Sequence, residues 1–218
     1  FDQEGIPCVI HRSGNYFDYD DFLLIRDKDT RIVKDNYAVF IDEYMPYHPD
    51  YSILKMKVVE PDNYFSGMND FFDKVEKKYN VRVVIAVHPT SYYEQSVYHG
   101  REMFKYKTNE LVKSCEFVLG HASTSLCFPI LYGKPIIFLY NRQLKSFGIQ
   151  SIFHLIENFF QVMGGTFYNL DEIESSDQIT VPVVDLEKYM LYKYDYLTSP
   201  QSECKLTKDI FFDYLEND

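Results

Sequence analysis

The stretch Val81-Arg-Val-Val-Ile-Ala-Val87, followed at once by His88-Pro89, decides the fold of this chain. Six of its seven residues are apolar and most are β-branched, which favours an extended strand over a helix. A run without alternation of polar and apolar residues is typical of a strand covered on both faces, as in parallel sheets. Pro89 then ends the strand, because it has no backbone N–H and holds the preceding residue extended.

Further apolar runs stand on both sides of this stretch and alternate with segments of helical spacing. We expect strands at 37–41, 81–87, 103–106, 117–120, 135–139 and 166–168. We expect helices at 62–79, 108–114, up to Tyr132, at 144–163, 185–196 and 207–215. This alternation predicts an α/β fold, a Rossmann-like doubly wound parallel sheet over residues 37–218. Residues 1–36 are charged and irregular, and we expect a linker with short elements there.

Composition narrows the classes of partner and location. The chain has 218 residues, 46% of them hydrophobic, and a formal net charge of -11, which argues against nucleic acid as a partner. No apolar run reaches the roughly 18 residues that a membrane-spanning helix needs. The four cysteines form no Cys-x-x-Cys pair, and we expect reduced thiols. We therefore expect a cytoplasmic protein that meets a membrane at most peripherally.

Ligands of doubly wound sheets bind at the carboxyl ends of the strands, so the residues there are the candidate site. His121-Ala-Ser-Thr-Ser125 follows the strand at 117–120 and opens the next helix. Hydroxyl groups and backbone N–H groups at such a start suit a phosphate, although ordinary helix capping by Ser123 or Thr124 accounts for the same residues.

Three further positions complete the candidate site. At the end of the strand at 81–87, His88 would project over the cleft, where it could donate to a phosphate or protonate a leaving group. Asp42 follows the first strand and faces the same edge. Thr108 and Glu110 could contact a base or ribose, and the alternative is a fragment of a capping box with Thr108 as the cap.

Four stretches together carry a family resemblance: Ile85-Ala-Val-His-Pro89, Thr108-Asn-Glu-Leu-Val-Lys-Ser-Cys115, Phe117-Val-Leu-Gly-His-Ala-Ser-Thr-Ser125 and Leu131-Tyr-Gly-Lys-Pro-Ile-Ile-Phe138. They resemble the C-terminal, donor-binding domain of glycosyltransferase-B-type enzymes of bacterial surface polysaccharides. The His-Pro and Ser/Thr motifs are similar to those of bacterial sialyltransferases and CDP-glycerol glycerophosphotransferases. By this resemblance His88 and Pro89 form the first motif, and Ser123, Thr124 and Ser125 the second.

The resemblance implies a nucleotide-sugar glycosyltransferase, with a CMP-linked sugar as one option for the donor, acting in capsule or lipopolysaccharide biosynthesis. It implies an inverting, metal-independent reaction without a cofactor, in which both motifs bind the nucleotide phosphate. The saccharide acceptor and the catalytic base would belong to an N-terminal domain outside this chain, which begins at Phe1. In line with that, Asp42-Glu43 is followed by Tyr44 and not by the glycine of the acidic motif that supplies the base in some sialyltransferases.

Two other functions remain open on the sequence: a non-catalytic nucleotide-binding or assembly module, and a sugar-nucleotide epimerase of the same architecture.

Among weaker candidates for site residues, Asp18-Tyr-Asp20 has the spacing of a metal-binding pair, but a solvated linker is the simpler interpretation. His48-Pro49 repeats the dipeptide of His88-Pro89 and is a second candidate for the cleft. His154 lies among apolar residues, and we expect it to pack in the core.

Overall fold

The computed structural model describes residues 14–148 and 151–217. A six-stranded sheet forms its centre, and every pair of neighbouring strands is parallel. The strands are β1 (Tyr37–Ile41), β2 (Arg82–Val87), β3 (Met103–Lys105), β4 (Val118–Gly120), β5 (Ile136–Tyr140) and β6 (Thr166–Asn169). Their order across the sheet is β3-β2-β1-β4-β5-β6. The prediction of a doubly wound parallel sheet, including all six strands, is confirmed.

The sheet is buried at its centre, as the apolar runs predicted. Every residue of β1 is at most 2% exposed, and in the register Val39 lies between Val84 of β2 and Val118 of β4. Burying branched apolar side chains on both faces contributes about 1.5–3 kcal/mol for each large residue, which makes these central strands the main source of stability.

Helices flank the sheet. They are α1 (Phe17–Ile25), α2 (Pro49–Ile53), α3 (Pro61–Tyr79), α4 (Thr108–Ser114), α5 (Cys127–Tyr132), α6 (Arg142–Ser146), α7 (Phe153–Met163), α8 (Leu186–Tyr192) and α9 (Thr207–Asn217). A π-helical turn at Lys193–Leu197 continues α8. In α3, Pro61 stands in the first turn, and the buried side chains recur at helical spacing along one face: Tyr64, Met68, Phe71, Phe72 and Val75.

The long helical region expected at 144–163 is interrupted, because the chain forms the two helices α6 and α7 there. Gly148 has a positive φ of 57°, which ends the helical path after α6. The Ser151 hydroxyl oxygen then accepts a hydrogen bond from the backbone N–H of Phe153 at 3.1 Å, so a new helix begins. Apolar periodicity runs through both helices, so it conceals the break between them.

The segment before the first strand contributes a packed helix. Tyr19 of α1 is 1% exposed, and α1 contacts both α4 and α5. The C-terminal region holds this helix in place, since the backbone N–H and the hydroxyl of Thr207 both donate to the Asp20 carboxylate at 3.0 Å. From residue 17 onward, part of the segment expected to be a linker therefore belongs to the folded body.

The order of the strands reverses between β1 and β4. The chain moves from β1 outward to β2 and β3, and then returns through α4 to β4 on the other side of β1. Right-handed crossovers then place α3 on one face of the sheet, and α4 and α5 together on the other. A crevice opens at the carboxyl ends of β1 and β4, where the two halves of such a sheet diverge.

Two glycines fix turns beside the sheet. Gly133 ends α5 with a φ of 63°, the left-handed conformation that is common at helix C-termini and that glycine adopts without strain. Gly165 precedes β6 with a φ of 119°, and a Cβ atom there would lie 2.5 Å from the Ile136 carbonyl oxygen. Only glycine therefore allows β6 to pair with β5 at this point.

Candidate functional site

The polar residues after β1 and β4 meet in the crevice between these strands. Asp42 and Glu43 follow β1, and His121 begins the loop that follows β4. All three side chains are buried, with at most 9% of each residue exposed. The crevice therefore begins with a buried polar layer, above which any ligand would lie.

Asp42 organises the carboxyl ends of β1 and β2. Its carboxylate accepts hydrogen bonds from the hydroxyls of Tyr93 and Tyr98, both at 3.0 Å, and from the backbone N–H of Tyr44 at 3.1 Å. It also accepts the backbone N–H of His88 at 3.3 Å. Burial raises the pKa of Asp42, and these donors oppose the rise. Asp42, predicted as a nucleotide ligand, positions His88 instead of facing the solvent.

Glu43 joins β1 to the loop after β4. Its Oε1 atom accepts the backbone N–H of Ala122 at 2.5 Å. Burial raises the pKa of Glu43 to about 8, the backbone hydrogen bond from Ala122 lowers it, and the neighbouring charge of Asp42 raises it further. The Ala122 N–H is therefore occupied by the protein's own carboxyl group and is not free to bind a phosphate.

His121 is a buried structural residue of the loop after β4. Its Nδ1 atom lies 2.7 Å from the Leu139 carbonyl oxygen, which can only accept, so Nδ1 carries the proton. Nε2 then accepts from the Tyr64 hydroxyl at 2.9 Å. Burial lowers the pKa of His121 to about 4 and keeps the ring neutral at pH 7. Both ring nitrogens of this predicted site residue are occupied, so a ligand would meet its backbone.

The three hydroxyl residues lie at the start of the next helical segment, as the sequence predicted. Ser123 caps the short turn Thr124–Leu126, with its hydroxyl oxygen accepting the Ser125 N–H at 3.2 Å. Thr124 is exposed, and Ser123 and Ser125 are half-buried. Each hydroxyl has only one proton to donate, and these protons are the donors that this loop can offer to an anion.

His88 stands at the end of β2 with one ring nitrogen fixed. Nδ1 accepts the backbone N–H of Thr90 at 3.3 Å and lies 2.9 Å from its hydroxyl oxygen. An N–H group can only donate, so Nδ1 is the acceptor and the neutral ring carries its proton on Nε2. Burial lowers the pKa of His88, and the neighbouring His48 lowers it further. The distal N–H is therefore a hydrogen-bond donor, as a phosphate ligand requires.

A cavity of about 390 Å³ brings several predicted site residues together. Pro89, Thr108, Glu110 and Ser125 line it from three separate segments of the sequence. The remaining lining comes largely from α1 and from the start of α4: Asp18, Asp21, Ile25, Tyr106, Asn109 and Phe128. The predicted residues among them, which lie up to 36 positions apart along the chain, thus face one space.

Thr108 and Glu110 lie at this cavity, but they form no capping box. Lys107 is the N-cap residue of α4, and no side chain caps the helix there, so the expectation that Thr108 is the cap is wrong. Glu110 accepts a hydrogen bond from Lys107 Nζ at 2.8 Å and has 14% of its side chain exposed. Both side chains are therefore available to the cavity.

Asn109 was missed by the sequence analysis. It is 7% exposed, and its Oδ1 atom accepts a hydrogen bond from the Tyr132 hydroxyl at 2.7 Å. Its Nδ2 atom is buried without a hydrogen-bond partner among the described residues, although it belongs to a residue that lines the cavity. A buried donor without a partner costs about 1–3 kcal/mol, which an acceptor on a ligand would recover.

A larger cavity of about 590 Å³ lies beside the ends of β5 and β6 and the first half of α3. Its lining includes Asn63, Asp70, Arg142 and Asp171, together with Asn141, which directly follows β5. None of the residues predicted to bind the nucleotide reaches it. Volume alone does not identify the site, because the smaller cavity is the one to which the candidate motifs converge.

The weaker candidates are also placed by the structure. Asp18 is half-buried at the cavity, where burial and the charge of Asp21 raise its pKa, rather than lying in a solvated linker. No cluster suited to a metal ion occurs among residues 14–148 and 151–217.

His154 is exposed and lies 3.7 Å from the Glu157 carboxylate, so the expectation of core packing is wrong. Cys115, Cys127 and Cys204 are free, and Cys8 lies outside the described residues. No described helix is long and apolar enough to cross a membrane.

Comparison with known proteins gives structural matches alone, since no family model and no curated protein matches this sequence. The glycosyltransferase SnogD from Streptomyces nogalater is similar at 9% identity and a TM-score of 0.44, over 85% of this chain and 44% of SnogD. The wall teichoic acid polymerase TagF is similar at 13% identity and a TM-score of 0.45, over 92% of this chain and 48% of TagF. A glycotransferase of kitacinnamycin has 9% identity and a TM-score of 0.38, over 97% and 48%. The chain spans about half the length of these solved structures.

Proposed function

We propose that this domain binds the nucleotide part of a nucleotide-sugar donor, as the C-terminal half of a glycosyltransferase-B-type enzyme of capsule or lipopolysaccharide biosynthesis. One observation carries the proposal. Residues chosen from separate motifs of the sequence, Pro89, Thr108, Glu110 and Ser125, line one cavity at the carboxyl edge of the sheet. Doubly wound sheets bind their ligands at this edge, beside the point where the strand order reverses.

The character of the cavity favours the nucleoside as its occupant. Three carboxylates line it, from Asp18, Asp21 and Glu110, and no lysine or arginine is among the lining residues, although Glu110 is paired with Lys107. Carboxylates accept hydrogen bonds from hydroxyl and amino groups and repel phosphate. Asn109 supplies the complementary donor through its unpartnered Nδ2 atom. Ribose hydroxyls and base amino groups match this set of partners, so the phosphate would lie outside the cavity.

The phosphate would lie between Ser125 at the rim of the cavity and the Nε2–H of His88. Hydroxyl protons and an imidazole N–H would then surround its oxygens, with the Ser123 hydroxyl as a further donor. In transfer, the bond between the sugar carbon and the phosphate oxygen breaks, and negative charge accumulates on the departing nucleotide. His88 would stabilise that charge through a hydrogen bond from its Nε2–H, which is consistent with an inverting reaction that uses no metal.

We infer that a second domain supplies the acceptor site and the base. The two buried carboxyl groups of the crevice are occupied, Asp42 by tyrosine hydroxyls and Glu43 by the Ala122 N–H. Neither is free to take a proton from an acceptor hydroxyl above the crevice. The chain alone would therefore bind the nucleotide without transferring the sugar to a saccharide acceptor.

Calorimetric titration with CMP, CDP, UDP and GDP tests the proposal and identifies the class of donor. The resemblance to sialyltransferases makes CMP the first nucleotide to test. Changing Ser123 and Ser125 together to Ala removes two hydroxyl donors, and we expect it to weaken binding by about 1–3 kcal/mol. The matched control changes two exposed serines away from the cavity, Ser96 and Ser146, to Ala. Equal affinity of the two double variants would contradict the assignment of the phosphate loop.

A further inference from the structure

Two His-Pro dipeptides meet above the ends of β1 and β2. His48-Pro49 lies in the segment after β1, and His88-Pro89 follows β2 directly. The centroids of the two imidazole rings lie 4.9 Å apart, with an interplanar angle of 77°. The segments that follow two neighbouring strands thus bring the repeated dipeptide together, so His48 belongs to the same edge as the proposed phosphate site.

The two rings are fixed in the same way. His48 Nδ1 accepts the backbone N–H of Asp50 at 3.2 Å, just as His88 Nδ1 accepts the N–H of Thr90 at 3.3 Å. Each neutral ring therefore carries its proton on Nε2. Among the described residues, neither Nε2 atom has a hydrogen-bond partner. The pair presents two N–H donors whose ring orientations are set by the backbone.

Few other charges surround this pair. Asp50 lies 3.8 Å from His48 Nδ1 with 61% of its side chain exposed, and the Tyr51 ring packs against His48. Burial lowers the pKa of His88, and the charges of His48 and Lys105 lower it further, whereas the charge of Asp50 raises it. Adjacent imidazoles repel each other when both are protonated, and an anion that bridges them removes this repulsion.

We propose that His48 and His88 together hold the second phosphate of the donor, which makes the donor a nucleoside diphosphate sugar rather than a CMP-linked sugar. The inference rests on the proposed function. A sugar linked to a nucleoside monophosphate offers one phosphate with two non-bridging oxygens, and the hydroxyls of Ser123 and Ser125 with His88 already match them. A single phosphate would leave one of the two imidazole Nε2–H groups without an oxygen to bind. With a diphosphate, the serine hydroxyls bind the first phosphate, and the Nε2–H groups of His48 and His88 both bind the second.

Calorimetry with matched pairs of nucleotides, CMP with CDP and UMP with UDP, tests this inference. His48→Asn keeps an acceptor for the Asp50 N–H, since asparagine is a good N-cap residue, and removes the distal donor. We expect at least one diphosphate to bind the unaltered chain about 10- to 100-fold more tightly than its monophosphate, the range for hydrogen bonds to a charged group. In His48→Asn this advantage falls to about twofold, while the affinity for the monophosphate stays unchanged.

The control is His154→Asn, which makes the same chemical change on an exposed residue of α7 and should retain the preference for the diphosphate. Thermal unfolding of His48→Asn confirms that the variant folds, and His48→Gln provides a second variant without the imidazole. Loss of affinity for both members of a pair to the same extent, or no loss, overturns the inference and leaves the proposed function in place. Absence of binding by every nucleotide overturns both.

Discussion

Glu43 should make the stability of this protein fall as the pH rises. Folding moves the pKa of its carboxyl group from 4.5 to about 8, chiefly because burial disfavours the charged form. The folded state keeps a proton that the unfolded state releases, so the contribution to stability is greatest below pH 4.5 and is lost as the pH rises through about 8. A pKa shift of this size changes the free energy of unfolding by about 5 kcal/mol in total, or by about 1.4 kcal/mol for each pH unit between the two pKa values.

Comparison with Glu43→Gln isolates this effect. Glutamine has a similar size and keeps a carbonyl oxygen for the Ala122 N–H, but it does not titrate. Urea unfolding of both proteins at pH 5, 6, 7, 8 and 9 gives the difference in free energy of unfolding at each pH. We expect the free energy of unfolding of Glu43→Gln to rise relative to that of the unaltered chain at every step up to pH 8. Parallel profiles would refute the reasoning, because they would mean that Glu43 is ionised in the folded state throughout.

Three further predictions concern the site. His121 stays neutral in the folded state down to about pH 4, whereas the unfolded chain takes up its proton near pH 6.5. Stability contributed by this residue, about 3 kcal/mol, is therefore lost as the pH falls through that window. An NMR titration that shows the ring protonating above pH 6 would contradict this. Asn109→Asp keeps an acceptor for the Tyr132 hydroxyl but removes the Nδ2 donor, and calorimetry should show nucleotide affinity falling by about 1–3 kcal/mol. Unchanged affinity would remove Asn109 from the site. In an enzyme that includes the acceptor domain, His88→Ala should lower turnover about 10²- to 10⁴-fold, and by more than it lowers donor affinity. Near-normal turnover would reduce His88 to a residue that ends β2.

The strands and their parallel arrangement could be predicted because buried parallel strands carry a strong local signal. Continuous apolar runs such as 37–41 and 81–87 are too short for most buried helices and too apolar for a strand with one face in water. The break between α6 and α7 could not be predicted, since it depends on the φ angle of Gly148 and on the hydrogen bond from the Phe153 N–H to the Ser151 hydroxyl, while the apolar spacing continues across it. Local patterns thus identified the elements better than their ends.

The candidate site could be predicted only in part, because side-chain orientation leaves no local signal in the sequence. The position of a residue at a strand end could be inferred, but the direction of its side chain depends on segments that are distant in the sequence. Asp42 is buried because Tyr93 and Tyr98, from the loop after β2, donate to it. Asn109 is hidden in a short amphipathic helix, and only the cavity beside it reveals its unpartnered amide. The one signal in the sequence was its place between Thr108 and Glu110, which were both chosen as candidates.

The position of a bound nucleotide is the most direct test of the proposed function, because two cavities of the described structure lie at the same edge of the sheet. A crystal structure of the chain with the nucleotide that binds most tightly in calorimetry would decide between them. We predict the nucleoside in the cavity between α1 and the start of α4, in contact with Asn109, and the phosphate between Ser125 and His88. A nucleotide in the larger cavity, beside Arg142 and Asp171, would contradict the assignment.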